Sequence, residues 1–281
     1  MTNKLNFIKM EGLGNDFIVM HRSTNESIQT IIKQCVKLCD RRRGIGADGI
    51  IFILPSKKAD FKMRIFNSDG SEAEMCGNGI RCCKLYVQSM HLSKKQLVTF
   101  ETKAGIISTE SNKKDLIRVN MGTPILESSK IPTVKKSCQV IMHDLQVDCK
   151  LFKITAVSMG NPHAVIYVDE ITDELVSFWG PKIEKHPFFP NKANVEFIKV
   201  LSNKEIQMRV WERGCGETLC CGTGACASVV AGIINNLHGN KVKVHLLGGD
   251  LLVEWDGKET SPVYMTGPAT IVFKGILELK R

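Results

Sequence analysis

Two of the eleven cysteines in this 281-residue chain head the same short pattern, Cys76-Gly77-Asn78-Gly79 and Cys221-Gly222-Thr223-Gly224. Glycine lets a backbone turn tightly and approach a ligand closely. Followed by helix-compatible residues, each pattern predicts a helix N-terminus whose free N–H groups can hold an anion such as a carboxylate. A thiol there is expected to ionise more readily, from about 8.5 down to roughly 3.5–7.5. Two such groups on opposite faces of one carbon form an acid and a base. They suit inversion of an amino-acid α-centre: one sulfur removes the weakly acidic α-proton, the helix N–H groups stabilise the developing charge, and the other sulfur returns a proton from the far side. This chemistry needs no cofactor, and no lysine in the chain stands out as a pyridoxal anchor.

The two patterns belong to a longer repeat. Met63–Cys82 aligns without gaps on Met208–Ala227, each residue number in the first run plus 145 giving its partner in the second. The same spacing relates Phe52-Ile53 to Phe197-Ile198, and a spacing of 146 relates Gly14-Asn15 to Gly160-Asn161. Met121-Gly122-Thr123-Pro124 resembles Met265-Thr266-Gly267-Pro268. Matches in a constant order argue for duplication of one unit. They predict two homologous domains, residues 122–266 forming one and residues 1–121 the other, with 267–281 returning to complete the first. If the halves pack about a pseudo-two-fold axis, Cys76 and Cys221 can face each other. Arg64 and Arg209 recur symmetrically and read as structural.

The elements that must carry these groups are short. Strand patterns cover 6–10, 17–21, 50–54, 61–67, 97–102 and 117–121, then 152–158, 164–168, 195–201, 205–212, 241–246 and 251–255. Ser27–Asp40 reads as an amphipathic helix capped by Ser27. One helix follows each Cys-Gly pattern, about 79–90 and 224–236, and the second is apolar on every face and so expected to be buried. The fold class is α/β (α+β): two pseudo-two-fold-related domains, each a curled, barrel-like mixed sheet around a central helix.

Composition narrows the partners. Lys plus Arg exceeds Asp plus Glu, 38 against 29, for a net charge of +9. The charge is dispersed in pairs such as Lys57-Lys58, Lys94-Lys95 and Lys113-Lys114. Only Arg41-Arg42-Arg43 is tight, and no stripe interleaves it with aromatics, so no nucleic-acid partner is expected. No apolar run reaches the roughly 18 residues of a membrane span, and the first ten residues lack a basic stretch followed by an apolar one, so a cytoplasmic location is expected. An odd number of cysteines without a CxxC pair gives neither a disulfide framework nor a structural metal site.

Gly12-Leu13-Gly14-Asn15-Asp16-Phe17, Phe66-Asn67-Ser68-Asp69-Gly70-Ser71, Cys76-Gly77-Asn78-Gly79-Ile80-Arg81-Cys82, Gly160-Asn161-Pro162-His163 and the run Gly216–Cys226 together resemble the diaminopimelate epimerases, in order from Asn6 to the C-terminus. The resemblance implies a cofactor-independent two-base enzyme, usually a homodimer, that interconverts LL- and meso-diaminopimelate on the route to lysine and peptidoglycan precursors. It implies Cys76 as proton donor and Cys221 as acceptor, with His163 and Glu212 tuning them. Gly77-Asn78 and Gly222-Thr223 would hold the reacting carboxylate, and Asn15, Asn67, Asn161 and Asn194 would contact substrate. Glu212-Arg213 would read the distal amino-acid centre, an arginine suiting a carboxylate and a glutamate an ammonium. The repeat aligns Glu212-Arg213 with Asn67-Ser68, so the charged end belongs to one half only. A proline- or hydroxyproline-type racemase would not need that pair. A thiol-rich redox or metal-binding protein is the alternative from another class.

Overall fold

The chain divides into two compact units, Met1–Val119 with Gly267–Arg281, and Asn120–Thr266. The computed structural model describes residues 3–111, 116–136 and 138–279. The Lys113-Lys114 pair lies outside the described residues.

The first unit runs β1 (Asn3–Gly12), β2 (Asn15–His21), α1 (Glu26–Ile32), α2 (Cys35–Cys39), β3 (Gly49–Leu54), β4 (Phe61–Asn67), β5 (Glu72–Ala73), α3 (Gly77–Ser89), β6 (Leu97–Thr102), β7 (Gly105–Ser111) and β8 (Ile117–Asn120). The second runs β9 (His143–Val147), β10 (Lys150–Ser158), β11 (Pro162–Tyr167), a π-helical turn at Leu175–Trp179 leading into α4 (Gly180–Glu184), β12 (Asn194–Ser202), β13 (Glu205–Glu212), β14 (Gly216–Glu217), α5 (Gly222–Ile234), β15 (Lys241–Leu246), β16 (Gly249–Glu254) and β17 (Tyr264–Gly267). The last strand, β18 (Thr270–Leu279), pairs antiparallel with β1 in the first unit.

The repeat extends to strand register. Ile50 stands opposite Phe66 across β3 and β4, and Val195 opposite Trp211 across β12 and β13, each residue 145 positions on. Both units are mixed sheets: β2–β3 and β4–β6 are parallel in the first, β11–β12 and β13–β15 in the second. A parallel neighbour demands a crossover. The α1–α2 pair supplies it between β2 and β3, and the π-turn with α4 between β11 and β12. Every residue of β3 is buried, as expected of a strand covered on both faces. Helix α3 touches β1 and β2 as well as β7, and α5 touches β10, β11 and β16, so each sheet curls round its helix. The α5 segment Gly222–Gly232 is almost wholly buried.

The expected single helix from Ser27 to Asp40 is two. Asn25, not Ser27, holds the cap position of α1, and the chain breaks at Gln34 (φ −105°, ψ 7°) before α2. Thr30-Ile31-Ile32 puts three β-branched residues at the end of α1, where they weaken the helix. The apolar stripe survives the break: Ile28, Ile31, Cys35, Leu38 and Cys39 are all buried against β2 and β3. Arg64 donates to both carboxylate oxygens of Glu72 at 2.7 and 3.1 Å, and Arg209 does the same to Glu217 at 2.7 and 3.1 Å. These twin bidentate pairs pin the short strands β5 and β14 beside β4 and β13.

Candidate active site

Each cysteine of the repeated pattern is the N-cap of its unit's central helix. Cys76 (φ −140°, ψ 121°) accepts a hydrogen bond from the Gly79 N–H at 3.4 Å, and Cys221 (φ −118°, ψ 107°) accepts one from the Gly224 N–H at 3.4 Å. The sulfur therefore takes the place of the oxygen that normally satisfies an orphan donor of the first turn. Gly77-Asn78 and Gly222-Thr223 are the first two residues of α3 and α5, their N–H groups at the positive end of the helix. Cys220 is buried one residue before the cap, which singles out Cys221 as the counterpart of Cys76. Cys82 and Cys83 are fully buried inside α3, and burial pushes both thiols up, away from reactivity.

In the first unit, Cys76 is half-buried and donates to Asn15 Oδ1 at 3.6 Å, an oxygen that also accepts from Asn78 Nδ2 at 3.3 Å. The other end of the Asn15 amide is held by Asp48, whose Oδ2 accepts from Nδ2 at 2.7 Å. Arg41 spans Asp16 (2.7 Å) and Asp48 (2.8 Å), while buried Lys9 lies 2.6 Å from Asp16. Burial works to raise the Asp16 carboxyl, but Arg41 and Lys9 prevail and hold it at about 2. Arg41, the first of the tight arginine triplet, is thus engaged in this network. Fully buried Arg81 donates to Asn78 Oδ1 at 2.9 Å and the Gly77 carbonyl at 3.1 Å, placing a cation inside the first turn of α3. Asn67 stands apart at the end of β4, exposed, with its amide donating to Ser71 Oγ at 3.0 Å.

The second unit is acidic by contrast. Cys221 sits beside the Glu212 carboxylate, which accepts a very short bond from the Thr218 hydroxyl. Burial pushes Glu212 up from the usual carboxylate range. The sequence led us to expect a lowered thiol at both helix starts. At Cys221 burial and the charges of Glu212 and Glu196 push it well up, outweighing the bonds from Thr223 (3.5 Å) and the Gly224 N–H. Fully buried His163 lies 2.9 Å from Asn161 Oδ1 and, through Nδ1, 2.7 Å from Glu196 Oε1. Asn194 spends much of its carboxamide on the backbone, donating to the Pro162 carbonyl at 3.0 Å and accepting from the Arg213 N–H at 2.9 Å. Arg213 is exposed, with Nη1 donating to the Asn191 carbonyl at 3.2 Å. Buried Glu184 braces the same turn, accepting from the Gly214 N–H at 3.0 Å and from Trp211 Nε1 at 2.9 Å. Asp48, Arg81, Glu184, Glu196 and Thr218 were not singled out from sequence. Glu196 carried a signal there: it interrupts an apolar strand at the position where the other half has Ile51.

Known structures share this architecture. The chain superposes on a hydroxyproline epimerase from Agrobacterium vitis with a TM-score of 0.69 at 14% identity, covering 98% of this chain and 93% of that one. A Bacillus anthracis phenazine biosynthesis protein of the PhzF family gives 0.66 at 18% identity, covering 98% and 99%. These set the fold class, α/β and sheet-dominated. Sequence carries it further. The profile of the diaminopimelate epimerase family matches residues 7–127 and 155–272. The diaminopimelate epimerase of Carboxydothermus hydrogenoformans is 52% identical over 274 residues, 96% of this chain and 98% of that one. The diaminopimelate epimerase of Acetivibrio thermocellus is 47% identical over 279 residues, 98% and 99%. This chain belongs to the diaminopimelate epimerase family.

Proposed function

We propose that the protein interconverts LL- and meso-diaminopimelate without a cofactor, using Cys76 and Cys221 as the two proton carriers. The observation that carries this reading is the pair of central helices, each capped by a cysteine sulfur in the same geometry, in a chain of this family. In each turnover one thiolate takes the α-proton and the C–H electron pair passes into the enolate-like carboxylate, held by helix-start N–H groups. The other thiol then donates its proton to the opposite face. The sulfurs end with their protonation exchanged, ready for the reverse direction. Glu212-Arg213, present in one half only, suits the ammonium and carboxylate of the distal centre.

Incubating reduced protein with LL-diaminopimelate in heavy water tests this directly. Loss of the α-proton signal by NMR and appearance of the meso isomer by chiral chromatography are expected, with no added cofactor. Folded, reduced protein that neither exchanges nor inverts would refute the proposal, and turnover of proline or hydroxyproline instead would favour the racemase reading.

The working form is proposed to be a cytoplasmic homodimer. Val272, Phe273 and Ile276 are exposed apolar residues of β18, which makes that strand the candidate contact. Phe273→Asp is expected to turn a dimer into a monomer by light scattering; a wild type that is already monomeric rejects the assignment. No helix among the described residues is long and apolar enough to cross a membrane.

A further inference from the structure

The two helix starts offer an internal control, because residues at corresponding positions of the repeat surround the same glycine in both. A Cβ placed on Gly79 would meet Ile51 Cδ1 at 2.9 Å, Met63 Cε at 3.2 Å and Cys76 Cβ at 3.5 Å. A Cβ placed on Gly224 would meet Glu196 Oε1 at 2.7 Å, Met208 Cε at 3.2 Å and Cys221 Sγ at 3.2 Å. Met63 and Met208 are repeat partners, as are the two cysteines and the two glycines. The exchange is at the remaining wall, where isoleucine in one unit is glutamate in the other. The residue at the position of its partner changes in step: where the second unit has His163, the first, at the upstream spacing of 146, has Phe17. Phe17 and Ile51 are an apolar pair, 3% and 0% exposed; His163 and Glu196 are a polar pair, both 0% exposed.

Burying a carboxylate is costly unless it is paired, and the fold accommodates an apolar pair at these positions in the twin. Packing therefore does not require Glu196. One oxygen lies 2.7 Å from His163 Nδ1, and the other, Oε2, is buried without a hydrogen-bond partner. Beyond His163 lies Asn161, 2.9 Å from Nε2. We infer that Glu196 is a positioning residue: through Nδ1 it holds the His163 ring in one orientation, so that Nε2 is the nitrogen that donates to Asn161 Oδ1. This rests on the epimerase reading only for its kinetic consequence; the ring orientation and the charge beside Cys221 are properties of the free protein. Carboxylate partners of this kind set the tautomer and orientation of imidazoles elsewhere, and losing one costs on the order of ten- to a hundredfold in activity.

Two substitutions separate this role from a structural one. Glu196→Gln keeps a hydrogen-bonding partner for Nδ1 but removes the charge; Glu196→Ile copies the twin unit's own residue and removes both. In nitrogen NMR of the selectively labelled ring, the Nε2 proton that His163 donates to Asn161 Oδ1 is expected to be protected from exchange in the wild type and in Glu196→Gln, and to exchange freely in Glu196→Ile. Iodoacetamide should reach Cys221 at lower pH in both variants, because a negative neighbour has gone. With diaminopimelate, Glu196→Ile should lose on the order of ten- to a hundredfold in kcat at little change in KM, and Glu196→Gln should recover most of it. An equally protected Nε2 proton in folded Glu196→Ile overturns the inference, whatever the substrate proves to be. Lost protection with full activity overturns the kinetic part. Should Glu196→Ile not fold, Glu196→Gln decides: loss of that protection or a kcat as low as that of a His163→Ala variant refutes it.

Discussion

Cys76→Ala and Cys221→Ala each abolish inversion, with kcat/KM for the LL-to-meso reaction expected to fall on the order of 10³-fold or more. A positioned general acid or base contributes roughly 10²–10⁴-fold, and each turnover uses both sulfurs. Their effects are not additive: once one carrier is gone, removing the second costs little more, because the two act as a unit. The double variant should therefore resemble either single one. The surviving sulfur can still abstract and return a proton on its own face. Each variant should exchange the α-proton of one isomer into heavy water without inverting it, and the two variants should prefer opposite isomers. The fold is a separate matter. Cys76 and Cys221 each cap a helix by accepting from the N–H three residues on, and losing a cap costs about 1 kcal/mol. Serine retains an acceptor at that position but is a far poorer proton carrier, so Cys→Ser variants should be folded and equally unable to invert. Inversion near the wild-type rate in any of the four would remove that cysteine from the mechanism.

The cysteine caps were legible because cap chemistry is local: the sulfur, the two glycines and the helix start lie within four residues. The twelve strand patterns read from sequence coincide with strands to within a few residues: several alternate a buried with a more exposed face, while β3, β11 and β12 are short, largely buried apolar runs. The elements not read have identifiable causes. β5 and β14 are two residues long and exist through the Arg64–Glu72 and Arg209–Glu217 clamps, which join residues eight apart on different strands. β7 and β9 are half-exposed with mixed patterns, and the π-turn before α4 stands next to Gly180-Pro181, which reads as a loop. The polar network round Asn15 was out of reach for a different reason. Asp48 lies 33 residues from Asn15, and only the parallel pairing of β2 with β3 brings them together. Long-range pairing also hid the charge state of Cys221. A helix N-terminus lowers a thiol in isolation, but Glu212 arrives from β13 and Glu196 from β12, and with burial they reverse the sign.

That reversal makes Glu212 the residue with the next largest expected effect. A neutral Cys221 thiol is a proton donor; to act as a base it must first lose its proton, and Glu212 is the carboxylate beside it. Burial raises the Glu212 carboxyl and so makes the carboxylate a better proton acceptor. The expected pH dependence follows from the direction of the shift. Below its raised value Glu212 holds a proton and cannot take one from Cys221, so kcat/KM should climb as pH rises through that value, above the usual carboxylate range. In Glu212→Gln that acid limb should vanish and kcat/KM should fall roughly 10²–10³-fold. The loss must be equal in the two directions, because the equilibrium constant between isomers is unchanged. Iodoacetamide separates proton transfer from simple electrostatics. Removing the negative neighbour should let Cys221 ionise, and be alkylated, at lower pH than in the wild type. An easier thiolate combined with a slower enzyme is the outcome expected if Glu212 carries the proton. If Glu212→Gln instead kept the acid limb and lost only KM, the residue would serve the distal ammonium alone, and the base that discharges Cys221 would have to be sought elsewhere.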